Sequence, residues 1–167
     1  EKIINKRKDE SLKDSILRFI PLGGMEEIGR NCSYFEYQNE IIVVDVGIQF
    51  PEEETPGIDY IIPNVSSIEP KNENVRGLIL THGHYDHIHA LPYLLEKLGN
   101  PIIYTAELTK HLIEKRLREF PNVPKAKIQI VRDGDEIKLS NNFQAKFFNI
   151  DHPIPDSLGF ILKTPVG

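Results

Sequence analysis

Cysteine is almost absent from this chain of 167 residues: Cys32 stands alone. A single thiol excludes an internal disulfide and any cysteine-only zinc cluster, and it agrees with a reducing cytosol. Long apolar runs are missing too. None reaches the roughly 18 residues needed to span a bilayer. The first twenty residues mix Lys2, Lys6, Arg7 and Lys8 with Asp9, Glu10 and Asp14, which lacks the pattern of a secretory leader. A cytoplasmic protein without a membrane partner is therefore expected. Basic surplus is lacking as well: the net charge of −5 leaves no basic footprint for nucleic acid in the bulk composition. Repeats and low-complexity tracts are not found. What remains is globular composition, 40% hydrophobic and 27% charged, enough for one domain with a real core.

Residues 1–14 are charged and without apolar periodicity, so a flexible tail is expected there, followed by a folded region over 15–167. Ser15–Pro21, Cys32–Tyr37 and Glu40–Val46 are rich in β-branched and aromatic residues and read as strands, with Gln38-Asn39 as a tight hairpin turn. Residues 51–75 carry four prolines, Pro51, Pro56, Pro63 and Pro70, with Gly57 and the acidic Glu52-Glu53-Glu54, which reads as a long ordered loop with at most short regular pieces. Gly77–Thr81 reads as a buried strand, then a helix places Ile88, Leu91, Leu94, Leu95 and Leu98 on one face. Further strands are expected over Pro101–Thr105, Lys127–Arg132, Phe143–Ile150 and Leu158–Thr164, with an amphipathic helix over Glu107–Phe120. Strands layered with helices fit this order better than a helical bundle.

The densest chemistry is Thr81-His82-Gly83-His84-Tyr85-Asp86-His87. In extended chain, residues i, i+2 and i+4 point the same way, so His82, His84 and Asp86 can project together from the end of the strand. His87 follows where the backbone turns. Four nitrogen or oxygen donors within six residues suit zinc, manganese or iron. The competing reading, surface histidines near a helix start with Asp86 as N-cap, does not account for three histidines packed this tightly behind a buried strand. Gly83 is expected to keep the backbone free of a side chain close to the metals. His152 follows the strand 143–150; taken alone it reads as a loop histidine beside prolines, but with a metal site nearby that needs a third nitrogen it becomes the natural candidate. Asp45 ends its strand either as an acid satisfied by loop amides or as a carboxylate orienting a metal-bound histidine, which such ligands generally need. His89 and His111 are read as structural, and Cys32 as a buried strand residue.

The pattern H-x-H-x-D-H after a strand resembles the metallo-β-lactamase-fold hydrolases. That resemblance implies a four-layer αββα sandwich, α+β in class, of which the first half and part of the second lie in this chain. It implies two divalent metal ions, zinc or else manganese. His82, His84 and His152 fall at the positions of the first ion, and Asp86 and His87 at the second. Asp86 also matches a position able to orient the attacking water, and Asp45 matches an aspartate at the same strand end. Longer segments are similar to the ribonuclease J group of β-CASP nucleases. They are Pro21-Leu22-Gly23-Gly24-Met25-Glu26-Glu27-Ile28-Gly29-Arg30-Asn31, Val44-Asp45-Val46-Gly47, His87-Ile88-His89-Ala90-Leu91-Pro92 and His152-Pro153-Ile154-Pro155-Asp156-Ser157. His89 departs from that group, where glycine is usual.

The group resemblance implies 5′-to-3′ exonucleolytic and endonucleolytic cleavage of RNA by a two-metal-activated hydroxide, and assembly as a homodimer or homotetramer. It also implies a bridging aspartate and a final histidine downstream of Gly167, with the β-CASP insertion and a C-terminal domain. The chain opens on Glu1 and stops just after a strand-like run, so an N-terminal part of a longer enzyme, inactive alone, is expected. Two other functions fit the same residues: a thioester or lactone hydrolase of this fold, and a non-catalytic RNA-binding scaffold.

Overall fold

Six strands form a mixed sheet whose chain order is also its spatial order: β1 (Arg18–Gly23), β2 (Cys32–Tyr37), β3 (Glu40–Val44), β4 (Val75–Ile79), β5 (Ile102–Thr105) and β6 (Lys127–Ile130). The computed structural model describes residues 16–51 and 56–167. The expected tail over 1–14 and the Glu52-Glu53-Glu54 run fall outside the described residues. β1, β2 and β3 are antiparallel, and β2 and β3 meet at Tyr37↔Glu40 across the expected two-residue turn, with Gln38 at φ 46°. β3 to β6 are parallel, so each connection must cross a face of the sheet. The crossovers carry α1 (Tyr85–Ile88), α2 (Leu91–Leu94) and α3 (Glu107–Leu117).

Alternation along the central strands splits the core in two. Ile41, Val43, Leu78, Leu80 and Ile103 pack with Ile88, Leu91, Leu94, Leu95 and Ile113 of the helical side. Their neighbours Ile42, Ile79 and Tyr104 turn to the other face and meet Phe143, Ala145, Phe147 and Leu158. Those last residues belong to or adjoin a second, antiparallel sheet ordered β7 (Glu136–Lys138), β8 (Gln144–Asn149) and β9 (Leu158–Lys163). Strands buried on both faces read as continuous apolar runs, which is why 41–44 and 78–80 show no alternation in the sequence.

The layers are therefore helix, sheet, sheet, three of the four expected. Among the described residues no helix covers the outer face of the small sheet. There Phe148 and Ile161 are exposed beside Glu136, whose carboxylate pairs with Lys146 at 3.4 Å and Lys163 at 3.2 Å. This matches the expectation that part of the second half is present.

Several boundaries differ from the sequence reading. The single helix expected to carry Ile88 to Leu98 is two short ones, because a proline ring at 92 blocks the carbonyl four residues back, at Ile88. Pro92 sits in the first turn of α2. α3 stops at Leu117 rather than Phe120, and its fully buried residues are Thr109 and Ile113, one position round from Leu108 and Leu112. β3 ends at Val44, two residues early, where Asp45 turns into the left-handed region at φ 56°. β7 was not anticipated, while the 3-10 segment at Glu69–Asn74 is one of the short regular pieces allowed for within 51–75.

Candidate metal centre

The candidate residues gather at the carboxyl ends of β3 and β4 and in the loop after β8. In parallel sheets this is the edge where loops converge and ligands bind. Leu80 continues β4 by donating its N–H to Tyr104 O at 3.0 Å, and the chain then enters Thr81–His87. The loop after β8 is tied to the same place, since Leu158 N–H donates to Thr81 O at 3.0 Å.

Three histidines converge. His84 Nδ1 lies 3.1 Å from His82 Nε2 and 3.1 Å from His152 Nε2. One nitrogen from each of the three falls within 4.8 Å of the others. Tetrahedral nitrogens bonded to zinc at about 2.0–2.1 Å stand roughly 3.3 Å from one another, so this spacing fits one ion. The donor set suits a borderline divalent metal. The expected partnership of His82, His84 and His152 is thus met in space, although 68 residues separate His84 from His152.

Asp86 and His87 form a second, adjoining group. His84 is the N-cap residue of α1 and its side chain makes no capping bond, so Asp86 lies inside the first helical turn and is not the cap. This corrects the picture of His82, His84 and Asp86 alternating along extended chain. The helix begins at Tyr85 and turns Asp86 toward His87. His87 Nε2 lies 3.3 Å from Asp86 Oδ2, and the His82 and His87 rings are 4.0 Å apart at their centroids. The two groups share one site.

Asp45 sits behind both groups. It is 6% exposed, and its carboxylate accepts the Thr81 N–H at 2.9 Å and the Thr81 hydroxyl. Asp45 Oδ2 also lies 2.8 Å from His87 Nδ1. With Nδ1–H donated to Asp45, His87 keeps the lone pair of Nε2 for the site. Thr81 Oγ1 lies 3.0 Å from His82 Nδ1, so the hydroxyl that donates to Asp45 can accept from His82 and free its Nε2 in the same way. One aspartate therefore orients two histidines. Of the two readings of Asp45, the geometry includes both, amide acceptor and histidine partner.

Burial and charge act differently on the two rings. Burial lowers the pKa of His82 to about 4, reinforced by His87, His152 and His84, so its ring is neutral and ready to donate a lone pair. Burial also opposes protonation of His87, but the hydrogen bond and charge of Asp45, with Asp86, outweigh it and the net shift is upward.

Sequence reasoning missed Asn31. Its Nδ2 donates to Asp86 Oδ2 at 2.9 Å and lies 3.2 Å from His87 Nε2. Only its place in the glycine-rich segment 21–31 marked it. Gly47 was likewise quoted without a role: a Cβ there would stand 1.5 Å from the carbonyl oxygen of Asp86, so only glycine lets the end of β3 touch α1. The role expected of Gly83 changes, since a Cβ at 83 would meet Leu112 Cδ1 at 2.3 Å and Ile154 Cδ1 at 3.3 Å. Its bareness makes room for side chains of α3 and of the His152 loop.

The remaining expectations are simply placed. His89 stacks on Tyr85 with centroids 3.5 Å apart and planes at 23°, and burial followed by Arg116 lowers its pKa to about 4. The extra side chain at this position lies along α1, on Tyr85. His111 is exposed, 3.7 Å from Glu114. Cys32 is buried, and burial pushes its thiol up to about 12.

The pattern of the Metallo-beta-lactamase superfamily matches residues 26–161. Among curated proteins, the chain is 40% identical over 156 residues to a protein named Ribonuclease J from Thermus thermophilus, covering 90% of this chain and 27% of that protein. It is 40% identical over 157 residues to Ribonuclease J 1 of Streptococcus pyogenes, covering 94% and 28%. It is 42% identical over 152 residues to Ribonuclease J of Corynebacterium glutamicum, covering 90% and 21%. The chain thus spans about a quarter of the length of these relatives. Among solved structures, a protein of unknown function from Enterococcus faecalis superposes with a TM-score of 0.67 at 17% identity, over 89% of this chain and 41% of that one. The flavodiiron core Flv1 of Synechocystis gives 0.55 at 16%, over 81% and 32%. At such identities these structures speak for the fold alone.

Proposed function

The chain belongs to the metallo-β-lactamase superfamily, and on that premise we propose that it is the metal-holding part of a ribonuclease that hydrolyses RNA phosphodiesters, both endonucleolytically and 5′-to-3′. The fold alone serves many substrates. The observation that carries RNA is the 34–42% identity to proteins named ribonuclease J across some nine-tenths of the chain. The metal dependence rests on the convergence of His82, His84 and His152.

The proposed division of labour assigns His82, His84 and His152 to one divalent ion, with Asp86 and His87 contributing to a second. Zinc suits three imidazoles, and manganese is the alternative. Bound ions of this kind supply Lewis acidity toward water and toward the phosphoryl oxygens. Asp45 holds His87 directly, and His82 through Thr81, with their Nε2 atoms toward the site. Asn31 holds the carboxylate of Asp86, which is then placed to orient a water or take its proton. The positive charge of two ions would offset the chain's net −5 where an anionic substrate arrives. A cytoplasmic enzyme assembling as a homodimer or homotetramer completes the proposal.

The test is a protein carrying this chain at the full length of its ribonuclease J relatives, incubated with 5′-monophosphorylated RNA and with a panel of thioesters and lactones. RNA cleavage that stops on chelation and returns with Zn2+ or Mn2+ is expected. Turnover of a thioester or lactone without RNA cleavage would replace the reading by a small-molecule hydrolase. Tight RNA binding with no turnover of anything would replace it by a scaffold.

A further inference from the structure

His82 and His87 are each backed by a hydrogen-bonding partner, whereas His152 is exposed and the partner of its ring among the described residues is His84, at 3.1 Å. Among the described residues no carboxylate, hydroxyl or carbonyl backs the imidazole on the side away from His82 and His84, so its place has to come from the backbone of its own loop. That loop is constrained at every step. Pro153 and Pro155 fix their own φ and bias His152 and Ile154 toward extended conformations. Ile150 N–H donates to Ser157 O at 3.0 Å and closes the base of the loop. Ser157 Oγ donates to Ile154 O at 2.9 Å.

The loop is also fastened to α3. Ala106, the N-cap residue of this eleven-residue helix, has no side chain able to cap it. The N–H of Leu108 is instead taken by Asp156 Oδ2 at 3.2 Å, across 48 residues of sequence. Asp156 holds the left-handed region at φ 60°, a conformation that costs a non-glycine residue free energy and persists where the surroundings impose it. One turn further along α3, Leu112 fills the space left by Gly83, between His82 and His84, and Ile154 Cδ1 comes to the same spot. α3 thus touches both loops that carry the histidines, one through Leu112 and the other through Asp156.

We propose that Asp156 is a positioning residue: by capping α3 it sets His152 at binding distance from His84, with Ile154 against Gly83 as the second point of attachment. The proposal rests on the assignment of His152 as a metal ligand. Its chemistry is a helix-capping bond used to place a ligand loop. Asn serves at such a cap as well as Asp, while Ala does not.

Titration of the 167-residue chain with Co2+, followed by visible absorption, tests it, with a thermal melt of each metal-free variant alongside. Asp156→Ala is expected to raise the Co2+ dissociation constant about ten-fold, the lower end of what loss of a ligand-supporting residue costs. Ile154→Ala is expected to weaken Co2+ in the same way, and Asp156→Asn to bind as the unaltered chain does. Asp156→Ala that melts earlier yet binds Co2+ unchanged would reduce the residue to an ordinary cap and overturn the proposal. Equal loss in Asp156→Asn, or unchanged binding in Ile154→Ala, would overturn it too, even if Asp156→Ala failed to fold. His152→Ala separates the layers: undiminished Co2+ binding there would show that His152 is not a ligand, a failure of the site assignment itself.

Discussion

Asp45 is the residue on which most of the site turns, since Thr81, His82 and His87 all take their orientation from its carboxylate. Asparagine tolerates the left-handed backbone at this position, so Asp45→Asn removes charge and acceptor strength with little strain. It is expected to weaken Zn2+ binding 10- to 100-fold, measured by competition with a chelating dye. Unchanged affinity would leave Asp45 only its amide bond to Thr81. Cys32 offers a check of the opposite kind. With its thiol pushed up to about 12 by burial, it holds no thiolate at pH 8. An aromatic disulfide reagent should therefore leave it unmodified until denaturant is added. At this scale the candidate ligands were legible as a cluster because histidine and aspartate at tight spacing have few other uses. Asn31 and Thr81 were not, because an asparagine or threonine gains its role only from a contact made in the fold, 55 residues away in the case of Asn31 and Asp86.

Elements were legible where pattern and punctuation agreed. β2, β3 and their turn follow from β-branched runs around Gln38-Asn39, and α3 from its helical spacing. The stretch after His87 kept helical spacing through a proline, and apolar periodicity alone could not reveal that two helices share it. β7 was hidden because Glu136-Ile137-Lys138 has one apolar residue, too little to show alternation. How elements touch was less legible still. Gly47→Ala puts a Cβ into the backbone of α1, so either the segment after β3 or Asp86 and His87 must move. It is expected to cost roughly 1–3 kcal/mol or more in chemical denaturation, and to weaken metal binding as well. Loss of stability with metal affinity intact would show that α1 yields without shifting its ligands.

For the whole molecule, the order of strands and helices pointed to layered sheets, and the resemblance supplied the four-layer plan, of which the described residues form three layers. The sandwich depends on the interface between its sheets, where Phe143 and Phe147 are buried against Ile42, Ile79 and Tyr104. Phe147→Ala is expected to lose about 3–5 kcal/mol in denaturant titration. A loss below about 1 kcal/mol would mean that the small sheet contributes little to holding the fold together. The loop that leaves that sheet brings His152 to His82 and His84, so the proposed metal site requires both sheets to be in place. The most direct test of the account is calorimetric titration of Zn2+ into the chain and into His84→Ala, the histidine whose Nδ1 faces both His82 and His152. The account predicts a saturable site in the unaltered chain and its loss in a variant that still folds. Equal binding by both would contradict it.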